Sequence, residues 1–215
     1  MARPPSVLIL PAGSDVHGTE LAALLGAERS AGVARLLLRR AVAWALDVAA
    51  GRVFVGRRSG DAVAAGDPAP RGTTTLLLSG HTLADQLAAG VTALTRAGPG
   101  PLLIAWPVLA NWGRHHARGA LDDLADGCAF AIGPVFDGGF YLLALDGPAA
   151  WLDALGEHAW HSPEAMGLAI AAAHAAGGEV GLLRAERALR GPGDVRAALA
   201  DPLLDAELAA ILRPS

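Results

Sequence analysis

The chain has 215 residues, 53% of them hydrophobic and 18% charged, with a formal net charge of -4. Its 17 basic residues are all arginine. A Schiff-base lysine, a phosphate-loop lysine and a lysine general base are therefore excluded, and no long basic run marks a nucleic-acid partner.

That length suits a single α/β domain over residues 1–215. No stretch reaches the roughly 18 uninterrupted apolar residues of a membrane span. The apolar run at 7–10 is too short for a signal-peptide core. The expectation is a cytoplasmic protein with no membrane partner.

In chain order, residues 6–10 read as a strand ended by Pro11, Ala12 and Gly13. Residues 31–50 carry an apolar stripe (Val33, Leu36, Leu37, Val42, Trp44, Leu46) and predict a helix stopped by Gly51. Residues 52–55 predict a strand and 57–72 a polar loop. Arg57, Arg58 and Arg71 flank that loop and read as solvated. A strand at 73–78 follows, then a helix capped near Thr82 and running to Arg96. Residues 102–106 form a continuous apolar run, which suits the centre of a parallel sheet. Residues 115–126 predict a helix and 128–132 a strand, with Cys128 as its buried first residue. As the sole cysteine, Cys128 can make neither an internal disulfide nor a cysteine-rich zinc site. A turn at 133–139 leads to a strand at 140–145. Helices are expected near 148–155 and 163–176, a strand at 179–183, and a helical tail at 195–212 broken at Pro202. The alanine-rich tail is a candidate homodimer contact.

Strands separated by helices imply a mostly parallel sheet covered on both faces, a three-layer α/β/α sandwich. Ligands in such folds bind beyond the carboxyl ends of the strands. That rule points to the loops at 11–18, 79–83, 107–116 and 134–139.

The strongest local signal is Gly133-Pro134-Val135-Phe136-Asp137-Gly138-Gly139-Phe140-Tyr141-Leu142-Leu143. Two glycines after an aspartate let backbone approach a ligand closely. Asp137 can accept a hydroxyl hydrogen bond or hold a metal ion. The plainer alternative is an Asp-Gly turn between strands. The loop at 106–116 also leaves two readings open. Asn111, Arg114, His115 and His116 offer donors, and Trp106 and Trp112 offer stacking faces. Equally, the tryptophans could pack on the core while the polar residues face solvent. Adjacent on a helix, His115 and His116 should point apart and make a poor metal pair.

The Gly-Pro-x-x-Asp-Gly-Gly-Phe-Tyr-Leu-Leu segment resembles the signature of a bacterial family of glycosyltransferase-A-type transferases, in the nucleotide-diphospho-sugar transferase superfamily. The family is known as a domain of unknown function or as radical-SAM/selenodomain-associated transferases. Trp160-His161-Ser162-Pro163 resembles the family's Trp-Ser-Thr-Pro segment, and Asp85-Gln86-Leu87 is a weaker match. The resemblance implies glycosyl or nucleotidyl transfer from a nucleotide or nucleotide sugar, with Mg²⁺ or Mn²⁺ as cofactor. It implies that Asp137 is catalytic and a metal ligand. Pro11, Gly13, Ser14 and Gly18 would border the nucleotide. Gly138, Gly139, Asn111, Arg114, Trp160 and Ser162 would border the substrate.

Three charged elements depart from the family's pattern. Its Asp-Cys-Pro segment reads Ala105-Trp106-Pro107 here, and tryptophan cannot ligate a hard cation. Its acidic Asp-x-Asp-Thr-x-x-Asp run corresponds to the stretch from Ala188 to Val195, where Asp194 matches the last acid. Its basic N-terminal pattern is absent from 11–19. Either another substrate is used, or His17, Arg114, His115 and His116 replace the metal, or the chain is a catalytically degraded homologue that acts as a binding or scaffolding protein.

Overall fold

The computed structural model describes residues 4–10, 19–58, 69–80, 83–147 and 163–213. Its strands are β1 (Ser6–Ile9), β2 (Val53–Arg58), β3 (Thr74–Leu78), β4 (Leu102–Ala105), β5 (Phe130–Pro134), β6 (Phe140–Leu145) and β7 (Val180–Leu182). They form one sheet in the order β3-β2-β1-β4-β6-β5-β7. Every residue of β1, β4 and β6 is buried, as continuous apolar runs in a doubly covered sheet require. β1 pairs in parallel with both β2 and β4, with Val7 opposite Val53 on one side and Leu103 on the other.

The sheet is mostly parallel, with β6 antiparallel to β4 and β5. That exception follows from chain length. Only residues 135–139 join β5 to β6, and a parallel crossover needs a dozen residues or more. The chain moves from β1 outward to β2 and β3, then returns to add β4 on the other side of β1. The reversal opens a crevice outside the carboxyl ends of β1 and β4. β5 and β7 are parallel to each other and end on the same edge.

The helices are α1 (Thr19–Leu25), α2 (Ala27–Val48), α3 (Leu83–Ala97), α4 (Arg114–Ala125), α5 (Pro163–Ala175), α6 (Pro192–Ala200) and α7 (Ala206–Leu212). They complete the three-layer α/β/α arrangement. α2 buries two groups of residues. Ala41, Val42, Trp44 and Ala45 join the core on the sheet. Val33, Leu36 and Leu37 join a second core with Leu21 of α1, Leu189, Val195 of α6, and Leu208 and Leu212 of α7. Asp205 caps α7, its carboxylate accepting from Glu207 N and Leu208 N. No helix among the described residues is long and apolar enough to cross a membrane.

Two expectations need correction. The long helix starts at Ala27 rather than 31 and is preceded by α1. Gly26, at φ 80°, makes the break, a conformation that side chains with a Cβ resist. Gly32, inside α2, has only Ile211 near its missing Cβ, so it interrupts the pattern without ending the helix. Cys128 lies before β5 and is half-buried, because the strand begins only at Phe130. Thr82 and residues 148–155 lie outside the described residues.

A bulge shapes the end of the β5–β6 pair, where Gly133 faces Leu142 but Pro134 faces Phe140. A Cβ on Gly133 would stand 2.4 Å from the Tyr141 ring. That ring is fully buried and its hydroxyl donates to Arg184 O at 3.3 Å, so it has little room to retreat. Gly133→Ala is therefore expected to cost about 1–3 kcal/mol through overpacking, read as a lower urea midpoint. An unchanged midpoint would show that the ring can shift.

Candidate functional site

The segment that follows β7 assembles the site. It lies against both carboxyl-edge loops at once. Glu186 N donates to Pro134 O at 3.0 Å, and Phe136 N donates to Glu186 O at 3.1 Å. Two residues on, Ala188 bridges to Leu109, and Leu189 N donates to Val108 O at 2.8 Å. Leu189 is buried in the second core. The turn at 135–139 and the loop after β4 are thus held by one strap.

The turn itself is closed by Gly138 N donating to Val135 O and by Val135 N donating to Gly139 O, both 3.1 Å. Gly138 and Gly139 have φ of 97° and 79°, so two consecutive residues need the left-handed region. Asp137, at the tip, has a side chain 46% exposed. Arg190 reaches it from the strap. Its Nη1 donates to Asp137 Oδ2 and to Gly138 O, both at 3.2 Å. The Arg190 side chain is only 14% exposed, and its Nε is buried without a hydrogen-bond partner. Phe136, 68% exposed, has Arg187 over its face at 5.7 Å.

Beside the strap is a cavity of about 230 Å³ whose wall includes Asn111, Glu186, Arg187, Asp194 and Asp201. Asp194 is committed to structure. It accepts from Arg190 N and Gly191 N at the start of α6 and pairs with Arg187 at 3.2 Å.

Under the site lies an aromatic cluster. Trp112 packs 4.5 Å from Trp44 and edge-on to His116 and Tyr141. Trp106 is buried. Trp106 therefore belongs to the core, and Trp112, half-buried, packs against it. Arg114 pairs with Asp47 of α2 through two hydrogen bonds of 2.5 Å on an exposed surface, and it does not line the cavity. That pairing holds the Asp47 carboxyl below the ordinary carboxylate range.

His115 and His116 converge, contrary to expectation, with ring centroids 4.0 Å apart. The reason is α4's first turn, where Gly113 N donates to His116 Nδ1 at 3.1 Å and draws that ring back over the helix start. His116 is 4% exposed, and its Nε2 lies 3.5 Å from Glu186 Oε1 without an aligned hydrogen bond. With Glu186, the two histidines bring three potential ligand atoms within 4.8 Å of one another.

The fit of a divalent cation follows from these contacts. Mg²⁺ and Mn²⁺ want several oxygen ligands. Asp137 faces Arg190, Asp194 faces Arg187 and two N–H groups, and Trp106 stands buried where the resembled family has an acid. The histidine–glutamate group offers two nitrogens and one oxygen. Metal-ligating histidines donate from their other nitrogen, whereas His116 Nδ1 accepts from Gly113 and so places the ring proton on Nε2. The described residues therefore do not fit a Mg²⁺ or Mn²⁺ ion at Asp137.

Asp137, Gly138, Gly139 and Asn111 are all found at the carboxyl edge. Pro11, Gly13, Ser14, His17, Gly18, Trp160 and Ser162 lie outside the described residues. Sequence reasoning missed Glu186 and Arg190. The departure from the acidic pattern at 188–195 marked the stretch that holds Arg190, but no local motif marked either residue.

No family model and no curated protein matches the chain. Among solved structures it is similar to a candidate nucleotide-diphospho-sugar transferase from Desulfovibrio desulfuricans G20. The TM-score is 0.75 at 19% identity, over 99% of this chain and 95% of that one. It is also similar to 4-diphosphocytidyl-2C-methyl-D-erythritol synthase from Anaerococcus prevotii DSM 20548 (TM-score 0.56, 13% identity, 97% and 98% covered). A third likeness is to 2-C-methyl-D-erythritol 4-phosphate cytidylyltransferase from Thermus thermophilus (TM-score 0.50, 17% identity, 87% and 93% covered). The chain has the nucleotide-diphospho-sugar transferase-like fold.

Burial pushes the His116 pKa below the ordinary 6.5, helped by the neighbouring His115 and opposed by Glu186. Between the lowered value and 6.5 the unfolded chain binds a proton that the native protein refuses. Stability should therefore fall as pH drops through that window. His116→Gln keeps an acceptor for Gly113 N–H but cannot titrate. Urea unfolding at pH 8 and pH 5.5 should show a smaller loss for His116→Gln than for the unaltered protein. Equal losses would contradict a neutral buried His116.

Proposed function

We propose that the chain is a transferase acting on a nucleotide-activated substrate, by glycosyl or nucleotidyl transfer, at the crevice beyond β1 and β4. One observation carries the reading. In a nucleotide-diphospho-sugar transferase-like fold, the Asp137-Gly138-Gly139 turn is pinned at the carboxyl edge by the strap, with its carboxylate half-exposed. Open α/β sheets bind ligands at this edge.

Asp137 accepts the proton of an acceptor hydroxyl while that oxygen bonds to the transferred group and the bond to the leaving phosphate breaks. The carboxylate–guanidinium contact orients Asp137 for that task. Gly138 and Gly139 keep the approach open, since neither carries a side chain. Asn111 in the cavity wall offers both a donor and an acceptor to a sugar or base. Exposed Phe136, beside Asp137, gives a face on which a ring can stack. Pro11, Gly13, Ser14 and Gly18, which follow β1 in sequence, are proposed to meet the nucleotide. Trp160 and Ser162, which precede α5, are proposed to meet the acceptor. The scaffolding alternative draws no support from the fold or the site.

A thermal-shift screen against nucleotides and nucleotide sugars should raise the unfolding midpoint for at least one of them, because binding to the native state stabilises by mass action. With that donor, Asp137→Ala should abolish turnover while circular dichroism stays unchanged. Full turnover in the variant would remove Asp137 from the reaction.

A further inference from the structure

The contact between Arg190 and Asp137 supports an assignment that rests on the transferase reading and deepens it. We infer that the Arg190 guanidinium is the resident cation of this site. It occupies the place beside Asp137 that a divalent metal would need, and it receives the diphosphate of the substrate without metal.

Placement is the first argument. Arg190 follows Leu189, which is buried in the second core and hydrogen-bonded to Val108 O. The fold thus sets the position of this charge, and its side chain is 14% exposed, low for an arginine. The guanidinium lies against the turn that follows β5, at the carboxyl edge of the sheet. The second argument is donor capacity. A guanidinium has five N–H groups in a planar fork that matches phosphate oxygens. Here Nη1 serves both Asp137 Oδ2 and Gly138 O, while Nε–H is buried without a partner. Both acceptors engage Nη1, the buried Nε–H is out of an anion's reach, and the Nη2 N–H pair is the part of the fork left to meet phosphate oxygens.

The third argument is exclusion. A divalent ion beside Asp137 would sit within a few ångströms of a fixed positive charge, and like charges at that range repel strongly in a partly desolvated site. The nearby carboxylate of Asp194 is held by Arg187 and by the N–H groups of Arg190 and Gly191. A guanidinium can neutralise charge on phosphate oxygens as a metal does, with no ion to recruit.

The test is calorimetric titration of the full chain with inorganic pyrophosphate, and with the nucleoside diphosphates, first in excess EDTA and then in Mg²⁺ or Mn²⁺. Affinity in EDTA should equal that with metal within about twofold, and Arg190→Met should weaken it at least about tenfold, with Arg190→Lys in between. Circular dichroism checks that each variant is folded. Mn²⁺ titration followed by electron paramagnetic resonance gives a readout that needs no anion. The unaltered protein should show no saturable site sensitive to Asp137→Asn, and Arg190→Asp should create one. The assignment is overturned by metal-dependent binding, by unchanged affinity in Arg190→Met, by no pyrophosphate binding in EDTA, or by a native Mn²⁺ site lost in Asp137→Asn. Nucleotide sugars that bind only with Mn²⁺ would sink the resident cation and leave the transferase standing. Failure of every nucleotide under every condition would sink both.

Discussion

The site depends on one mechanical constraint, the strap at 186–190 that ties the loop after β4 to the turn between β5 and β6. Those loops leave different strands of the sheet. Each bonds to the strap, through Pro134 O, Phe136 N and Val108 O. The strap is held in turn by Leu189, whose burial with Leu21, Leu36, Leu37 and Leu208 removes apolar surface from water. The second core is therefore more than extra stability. It sets where Arg190 and Glu186 stand relative to Asp137, much as catalytic groups elsewhere are positioned by a rigid surround.

Packing beneath the strap explains the aromatic residues. Trp44, Trp112, Tyr141 and His116 interlock, and Trp44 Nε1 donates to Gly113 O at 3.1 Å. Arg40 adds a donor to Ala110 O at 2.5 Å and an ion pair to Asp205 at 2.7 Å, linking the Asn111 loop to the start of α7. Few of these side chains are free to move independently. A rigid floor under a glycine-rich turn is consistent with a site that presents backbone and one carboxylate to a ligand.

Most of the sheet was legible because strands buried on both faces leave continuous apolar runs, as in Leu102–Ala105 and Phe140–Leu145. The Asp137 turn was legible for a local reason too, since consecutive glycines advertise left-handed backbone. α1 was missed because glycines at 18, 26 and 32 interrupt its pattern and that of the helix after it. The convergence of His115 and His116 was missed because ideal helix spacing separates neighbours, and the bond from Gly113 N–H overrides that spacing at the first turn. Arg190 was invisible for a different reason. Its partner is 53 residues away in sequence, and ion pairs made by topology leave no periodic trace.

The most direct measurement is a crystal structure of the protein grown with the nucleotide or nucleotide sugar that gives the largest thermal shift. The account predicts the ligand at the carboxyl edge of β1 and β4, its phosphates against Arg190 and its transferred group facing Asp137. A ligand bound elsewhere on the fold, or one at this edge whose phosphates are held by a metal ion with Arg190 turned away, would contradict it.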